Sequence, residues 1–267
     1  MHRAILTHGG AGADPKHADG TLAAAEAGME IMVNGQSALD ASVHAVRCLE
    51  DDPRFNAGNG SRLRADGRTM QMDASCMRSD GAFGAVAAVK GIGNPIDIAQ
   101  AVLLHSPHIL IAGEGATRFA RERNIAVRLL ETADDSEMDA SGQAPSCDTV
   151  GAVAFDGKSF AAALSTGGLS GSAIGRVGDV PLPGCGLYCG PAGAVACTGD
   201  GEFIALKILA REVYGWLEQQ MSPGDAVQRA LTLFADDVDI GLIVATGSEC
   251  AADANSGMPW SCLTTAR

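Results

Sequence analysis

Residues 149–165 read TVGAVAFDGKSFAAALS, and this stretch decides the fold. Two runs of apolar and small residues flank the turn Asp156-Gly157-Lys158, and an Asp-Gly turn between two such runs is typical of a β-hairpin. The preceding residues, 131–148, are acidic and rich in Ser and Ala, and they follow neither a helical nor a strand periodicity. We therefore expect a flexible, exposed linker that leads directly into a hairpin.

Outward from the hairpin, helical and strand-like patterns alternate in both halves of the chain. A strand-like run at 4–7 ends at the glycine-rich turn 9–12, and apolar residues recur at helical spacing over 20–33 and 37–50. Shorter patterns predict helices over 96–104 and 115–123 and a buried strand over 108–112. Beyond the hairpin we expect helices over 202–219 and from Ser222, then a buried strand over 240–245. This order predicts a single α+β domain over 1–267, compatible with two sheets flanked by layers of helices.

The charge balance excludes several kinds of partner. There are 19 Lys and Arg against 32 Asp and Glu, which gives a net charge of −13. A chain with this negative charge repels phosphate backbones and anionic lipid, so we expect neither nucleic acid nor membrane as a partner. No apolar stretch approaches the roughly 18 to 20 residues that cross a bilayer. The apolar run at the start is too short for a signal peptide, so we expect a cytoplasmic protein.

Three other patterns indicate no chemistry by themselves. The glycine-rich segment 167–175 lacks the Lys-Ser/Thr of a phosphate loop. His105 and His108 have no third ligand at zinc spacing. Cys185 and Cys189 have no basic neighbour that would lower a thiol pKa. Packing roles are the simpler interpretation of all four side chains.

Thr149 stands where the linker meets the hairpin. A Thr hydroxyl is a poor nucleophile unless a base is close, and the α-amine of an N-terminal Thr is one such base. That chemistry requires cleavage of the Asp148–Thr149 bond, and an exposed linker lets the severed end move away. The simpler interpretation is a β-branched residue that opens a strand, and this feature alone does not exclude it.

A series of short motifs along the whole chain carries a family resemblance. In the first half they are HGGAG at 8–12, FNAG at 55–58, MDAS at 72–75, GNP at 93–95, SPH at 106–108 and GEGA at 113–116. In the second half they are TVGAV at 149–153, STGG at 165–168, GRVGD at 175–179 and CTGDGE at 197–202. In this order they resemble the plant-type asparaginase and isoaspartyl peptidase family, which belongs to the N-terminal nucleophile hydrolases.

The resemblance implies a four-layer αββα sandwich that is made as a precursor and cuts itself between Asp148 and Thr149. The products would be an α subunit of residues 1–148, ending in the linker 131–148, and a β subunit of residues 149–267. Members of the family usually pair as (αβ)₂ dimers. The resemblance implies no required cofactor.

The resemblance also assigns roles. Thr149 would supply the attacking Oγ and, through its freed α-amine, the general base, and Thr166 would orient it. Thr198 Oγ and the Gly199 amide would form the oxyanion hole. Arg176 and Asp179 would bind the α-carboxylate and α-ammonium of the substrate. A polar turn residue at Thr166 and a surface charge at Arg176 are the simpler alternatives. The wider set of substrate-binding and supporting residues is Arg176, Asp179, Thr198, Gly199, Gly201 and Asn56.

A loop that begins at the end of the second helix resembles a segment that holds a sodium ion through backbone carbonyls in relatives. Asn56 within this loop would support the active site, and an Asn that stabilises a turn is the alternative. The carbonyl donors would be Leu49, Glu50, Asp52, Phe55, Ala57 and Asn59.

Taken together, the resemblance predicts a self-processing Thr hydrolase that cleaves β-aspartyl dipeptides and hydrolyses L-asparagine. Some positions depart from the family pattern: Val180 replaces a usual Ser or Thr, and Pro183-Gly184-Cys185-Gly186 replaces a usual Ile-Gly-Ala-Gly stretch. Asp148 precedes the nucleophile where Gly is common, and an Asp-Thr junction is also familiar from glycosylasparaginases. The alternatives are therefore a glycosylasparaginase-like amidase, or a non-processing relative that binds amino acids.

Overall fold

A computed structural model of the chain describes residues 2–125 and 149–265. The predicted linker 131–148, with Asp148, lies outside the described residues. In those two ranges, strands and helices are numbered separately in chain order.

The larger sheet contains the predicted hairpin at its centre. Its strands, in spatial order, are β11 (Trp260–Thr264), β1 (Ala4–His8), β5 (Val150–Phe155), β6 (Phe160–Thr166), β2 (Met72–Arg78), β3 (Phe83–Val89) and β4 (Leu110–Ala112). The hairpin β5–β6 is confirmed, and Asp156 Oδ1 accepts the N–H groups of Lys158 and Ser159 in its turn, both at 2.8 Å. Because β5 pairs with β1 and β6 pairs with β2, the hairpin is held on both sides by the first half of the chain.

The smaller sheet is built from the second half of the chain alone. Its antiparallel strands, in spatial order, are β10 (Cys250–Ala254), β9 (Ile240–Ala245), β8 (Gly193–Gly199) and β7 (Leu187–Gly190). The predicted strand over 240–245 is thereby confirmed.

The helices follow the apolar periodicity of the sequence. They are α1 (Ala18–Val33), α2 (Ala38–Asp51), α3 (Pro95–His105), α4 (Gly113–Glu122), α5 (Gly201–Lys207), α6 (Leu209–Glu218) and α7 (Pro223–Leu231). Local signals set several of their starts. Ser37 and Asp40 form a capping box at α2, and Ser222 caps α7 ahead of Pro223. The predicted helices 20–33, 37–50, 96–104 and 115–123 are confirmed to within a few residues.

Three apolar clusters hold these elements together. One lies between the larger sheet and helices α1–α4, and a second lies between the smaller sheet and helices α6 and α7. The third lies between the two sheets, where Leu164 and Val153 share one cluster with Ile243. Because both faces of the hairpin are buried, its strands are rich in Ala and Val on both faces.

Two predictions need correction. The strand expected over 108–112 covers only Leu110–Ala112, and it is largely exposed because β4 is an edge strand that pairs on one side, with β3. The helix expected over 202–219 is two helices, because Ile208 adopts the left-handed conformation with φ of 50°. The apolar spacing continues across both helices, so it does not reveal that the single residue Ile208 interrupts the helical conformation.

Candidate active site

Thr149 lies at the start of the central hairpin and is nearly inaccessible, with 5% of its surface exposed. It directly precedes β5, whose Val150 pairs with Ser165 of β6, and whose Gly151 pairs with His8 of β1. The Thr149 backbone carbonyl accepts a hydrogen bond from Thr198 Oγ1 at 3.4 Å. The residue predicted as nucleophile is thus fixed by strands on both sides and contacted by the smaller sheet.

Most of the predicted site residues line one small cavity. Its volume is about 10 Å³, which is room for about one water molecule. Four separate segments of the chain converge on it. The described lining residues are Thr149, Thr166, Gly168, Leu169, Arg176, Gly178, Asp179, Gly199 and Gly201. Gly168, Leu169 and Gly178 were not predicted as site residues, because neither an apolar side chain nor a glycine gives a chemical signal from which to predict it.

Thr166 ends β6 and faces the same cavity as Thr149. It is 5% exposed, and its Oγ1 accepts the Gly168 N–H at 3.0 Å. With a lone pair of the hydroxyl engaged by this turn, its hydrogen is available to a neighbouring oxygen. The position and bonding are therefore compatible with both interpretations of Thr166, because the turn contact and an orienting contact use different parts of the hydroxyl.

Thr198 and Gly199 end β8 beside Thr149. Thr198 is buried, and its Oγ1 also accepts the Ala11 N–H at 3.2 Å, which ties it to the glycine-rich turn after β1. At Gly199 φ is 127°, and a Cβ there would lie 1.9 Å from the Asp239 carbonyl oxygen. Only glycine fits this position. Thr198 does not line the cavity itself, whereas Gly199 does.

Arg176 and Asp179 approach the cavity from the loop between β6 and β7. Arg176 Nε donates to Glu202 Oε1 at 2.8 Å, and its Nη2 donates to Oε2 of the same carboxylate. This is a bidentate pairing, the geometry in which guanidinium groups frequently bind carboxylates. Arg176 lowers the pKa of Glu202 mainly through these hydrogen bonds. Glu202 is the last residue of the motif CTGDGE, and the family resemblance assigned it no role.

Asp179 is buried, with 4% of its surface exposed, and its Oδ2 has no hydrogen-bond partner in the described residues. Burial raises the pKa of Asp179 to about 7, and the Arg176 charge only partly offsets this. Two glycines make room for the carboxyl. A Cβ at Gly201 would lie 2.7 Å from Oδ1, and one at Gly186 would lie 2.8 Å from Oδ2. A buried carboxyl with one unpaired oxygen in a tight polar pocket suits a cationic ligand group.

Asn56 supports the site from behind and does not line the cavity. It is 1% exposed, and its Nδ2 donates to the Gly168 carbonyl at 2.8 Å. Its own carbonyl accepts the Gly167 N–H at 2.8 Å, and its Oδ1 accepts the Arg62 N–H at 3.1 Å. Asn56 therefore holds the turn that follows Thr166, and this contact fits both the predicted support of the active site and the turn-stabilising alternative.

The loop predicted to hold sodium gathers backbone carbonyls around two glycines. A Cβ at Gly58 would lie 2.4 Å from the Glu50 carbonyl oxygen, and one at Gly60 would lie 2.0 Å from that of Phe55. Carbonyl oxygens are the ligand type that hard cations prefer. The carbonyls of Asp52, Phe55 and Ala57 each also accept one backbone N–H. Within 2–125 and 149–265, no group of three or more His, Cys, Asp and Glu residues could hold a metal ion.

Comparison with known proteins supports the family resemblance over nearly the whole chain. A family model described as asparaginase matches residues 1–139 and 128–267. The plant-type L-asparaginase of Pyrococcus furiosus is 38% identical over 90% of this chain and 89% of its own length. The isoaspartyl peptidase/L-asparaginases of Macaca fascicularis and Homo sapiens are each 38% identical over 98% of this chain and 93% of their own length. Over the described ranges, the structure contains no helix of the length and apolarity needed to span a bilayer.

Proposed function

This chain belongs to the asparaginase family, and on that premise we propose that it hydrolyses L-asparagine and the β-aspartyl bond of isoaspartyl dipeptides. The observation that carries the proposal is the shared cavity. It brings a hydroxyl nucleophile candidate, Thr149, to the same space as a guanidinium and a carboxyl, Arg176 and Asp179. A guanidinium and a carboxylate together select the α-carboxylate and α-ammonium of an amino acid.

The proposed reaction is acyl transfer through Thr149. Its Oγ attacks the side-chain carbonyl of the substrate while the free α-amine of the same residue takes the hydroxyl proton. The proton then passes to the departing amine, which is ammonia from asparagine or an amino acid from a β-aspartyl dipeptide. Water subsequently hydrolyses the acyl-enzyme ester. Thr166 orients the nucleophile in this scheme.

The developing negative charge needs donors at the cavity wall. In this proposal Gly199 N–H and Thr198 Oγ1, at the end of β8, serve as these donors. Thr198 Oγ1 is already engaged with Ala11 and the Thr149 carbonyl. Serving the oxyanion therefore requires that it redirect its hydrogen from the Thr149 carbonyl to the substrate oxygen.

The α-amine of Thr149 exists only after the chain is cut, so we include self-cleavage between Asp148 and Thr149 in the proposal. It would give an α subunit of residues 1–148 and a β subunit of residues 149–267. The pairing of β5 with β1 and of β6 with β2 would keep the two subunits joined. The three apolar clusters support a four-layer αββα sandwich, and we propose that processed protomers pair as (αβ)₂.

Sodium in this proposal is structural and takes no part in the chemistry. The backbone carbonyls of the loop from Leu49 to Asn59 would hold it. Two of these carbonyls, those of Glu50 and Phe55, lie close to Gly58 and Gly60. The loop also contains Asn56, so an ion there would stiffen the support of the turn after Thr166.

Intact-mass spectrometry of the purified chain over several days tests self-cleavage. We expect the 27.2 kDa chain to give fragments of about 15 and about 12 kDa, with a new N-terminus at Thr149. Thr149→Ala should stay whole, and Thr149→Ser, which keeps a hydroxyl, should still cut. A wild-type chain that stays whole at every pH would contradict the mechanism and favour an amino-acid-binding protein.

Release of ammonia from L-asparagine and cleavage of β-aspartyl-leucine then test the substrate class. We expect turnover of both by wild type and neither by Thr149→Ala. Preferential turnover of sugar-linked asparagine would instead identify a glycosylasparaginase-like amidase.

A further inference from the structure

One face of β2 contacts the loop that carries Arg176 and Asp179. Gln71, directly before β2, accepts the Gly175 N–H on its Oε1 at 2.7 Å. Four residues on, Ser75 Oγ donates to the Val180 carbonyl at 2.5 Å. Gln71 and Ser75 lie on the same face because side chains alternate along a strand. They therefore fix both ends of the segment 175–180, which we call the gripping segment.

Asp73 is the residue between them on that face, and it faces the middle of the gripping segment. The Gly178 N–H lowers the pKa of Asp73 and so favours its charged form. Asp73 is fully buried, and it is the cross-strand neighbour of Thr166 in the β2–β6 register. It thus lies between the two halves of the candidate site, one carrying Thr166 and the other Asp179.

A bulge between β2 and β3 sets the position of this carboxyl. The register shifts at Asp73, because Met72 pairs with Val89 whereas Ala74 pairs with Val86. Ala88, in the bulge, has a φ of 51°, and its N–H donates to Asp73 Oδ1 at 2.7 Å. Asp73 Oδ2 makes no close hydrogen bond within the described residues. A buried acid kept with one oxygen unpaired beside a binding site, and held by a strained residue, indicates a role beyond packing.

We propose that Asp73 is a positioning residue that holds the gripping segment in place and, by its negative charge, sets the pH range over which Asp179 binds an ammonium group. The inference rests on the proposed function and deepens it. Asp73 does not line the cavity, so it acts on the substrate through the gripping segment.

The electrostatics follow from the groups around the two carboxyls. Burial raises the pKa of Asp73 to about 6 and that of Asp179 to about 7. The charge of Asp73 contributes to the rise at Asp179, because two nearby carboxylates oppose each other's ionisation. The other groups that face this pair are Arg64, Arg176, Glu202 and the thiols of Cys185 and Cys197.

Two consequences separate this role from mere packing. Asp73→Asn removes the opposing charge, so Asp179 should ionise and bind ammonium at lower pH. It also weakens the attraction between this carboxyl and the Gly178 N–H, so affinity at high pH should fall. Gln71→Met, of similar size and without charge, should lower affinity at every pH and leave its pH midpoint unchanged.

Calorimetric titration of the purified chain with L-aspartate from pH 5 to pH 9 tests both consequences. For Asp73→Asn we expect the acid midpoint of binding to move down by about half a pH unit or more, and affinity at pH 8.5 to fall about three- to tenfold. Asp97→Asn is the matched control, since Asp97 is a partly buried acid on α3 that pairs with Arg47. It should bind as wild type does.

An unchanged midpoint in a folded Asp73→Asn chain would overturn the charge role. If that variant does not fold, unchanged affinity in Gln71→Met would overturn the claim that this face of β2 holds the gripping segment. Failure of wild type to bind L-aspartate would also overturn the inference. Turnover of L-asparagine is measured separately, so the proposed function can fail or stand independently of these binding results.

Discussion

At Asp179, a side chain suited to bind an ammonium group is held where its own charge is unfavourable. Its carboxyl is enclosed by Gly186 and Gly201, and Arg176 is engaged by Glu202. A substrate α-carboxylate would replace Glu202 on Arg176, and its α-ammonium would neutralise Asp179. The free site is therefore less favourable than the occupied one, a common property of binding sites.

This arrangement gives Asp179→Asn a pH-dependent effect on stability. Because the folded pKa of Asp179 is raised to about 7, its contribution to stability is full below the unfolded value of about 3.8 and is lost as the pH rises through 7. Asn stays neutral, so the variant should equal wild type at pH 4. At pH 8.5 it should gain up to about 4 kcal/mol, or about 5–10 °C in Tm.

Thermal unfolding at the two pH values measures this, with both chains in a Thr149→Ala background so that cleavage does not intervene. Asp80→Asn is the control, since Asp80 is exposed and its pKa is lowered by Arg78. A Tm gain of equal size at pH 4 would show that the effect does not come from ionisation of Asp179.

At the scale of elements, the hairpin β5–β6 and helix α2 illustrate how local signals are used. Both faces of the hairpin are buried. Thr149 is held in position because β5, which it precedes, pairs with β1 on one side and β6 on the other. Helix α2 packs behind the hairpin and leads directly into the loop that holds Asn56. The start of α2 contacts the hairpin turn, where Asp156 Oδ2 accepts the Ala38 N–H at 3.2 Å, at the opposite end of β5 from Thr149. A change at this start should therefore affect stability and leave the candidate site unchanged.

Ser37→Ala tests the capping box of α2. Ser37 Oγ accepts the Asp40 N–H at 3.2 Å, and its loss leaves that donor with water alone. We expect the free energy of unfolding to fall by about 1 kcal/mol, with kcat unchanged. Ser37→Thr keeps a capping hydroxyl and should restore most of the loss. Equal Tm values for wild type and Ser37→Ala would show that the cap does not stabilise the fold.

At the scale of the whole molecule, the candidate site is assembled from segments that belong to both sheets and to the loops between them. Thr149 and Thr166 come from the larger sheet, and Gly199 comes from the smaller one. The loop after α2 contacts the turn after Thr166 through Asn56. An ion in that loop would therefore stabilise the fold and the site together.

Exchange of sodium for tetramethylammonium at constant ionic strength tests this. A cation bound only by the folded state raises Tm as its concentration increases. We expect Tm to rise with NaCl and not with tetramethylammonium chloride, to the same extent in wild type and Thr149→Ala. Equal Tm in both salts would show that the loop does not hold sodium.

Sequence alone determined those features whose physics is local. Apolar periodicity, capping residues and the Asp-Gly turn depend on neighbours within a few positions, so α2, α7 and the central hairpin were predictable. The resemblance carried by short motifs indicated Thr149, Thr166, Arg176 and Asp179 before any contact was known, because each motif keeps its residues together along the chain.

Only the tertiary structure decided the contacts that join distant segments. The left-handed Ile208 that divides α5 from α6, the exposure of the edge strand β4 and the pairing of Arg176 with Glu202 depend on packing that no local window contains. The place of Asp73 behind the gripping segment depends on a bulge and on sheet register. Burial and charge at a site are sums over neighbours that only the fold brings together, and for that reason they had to be observed.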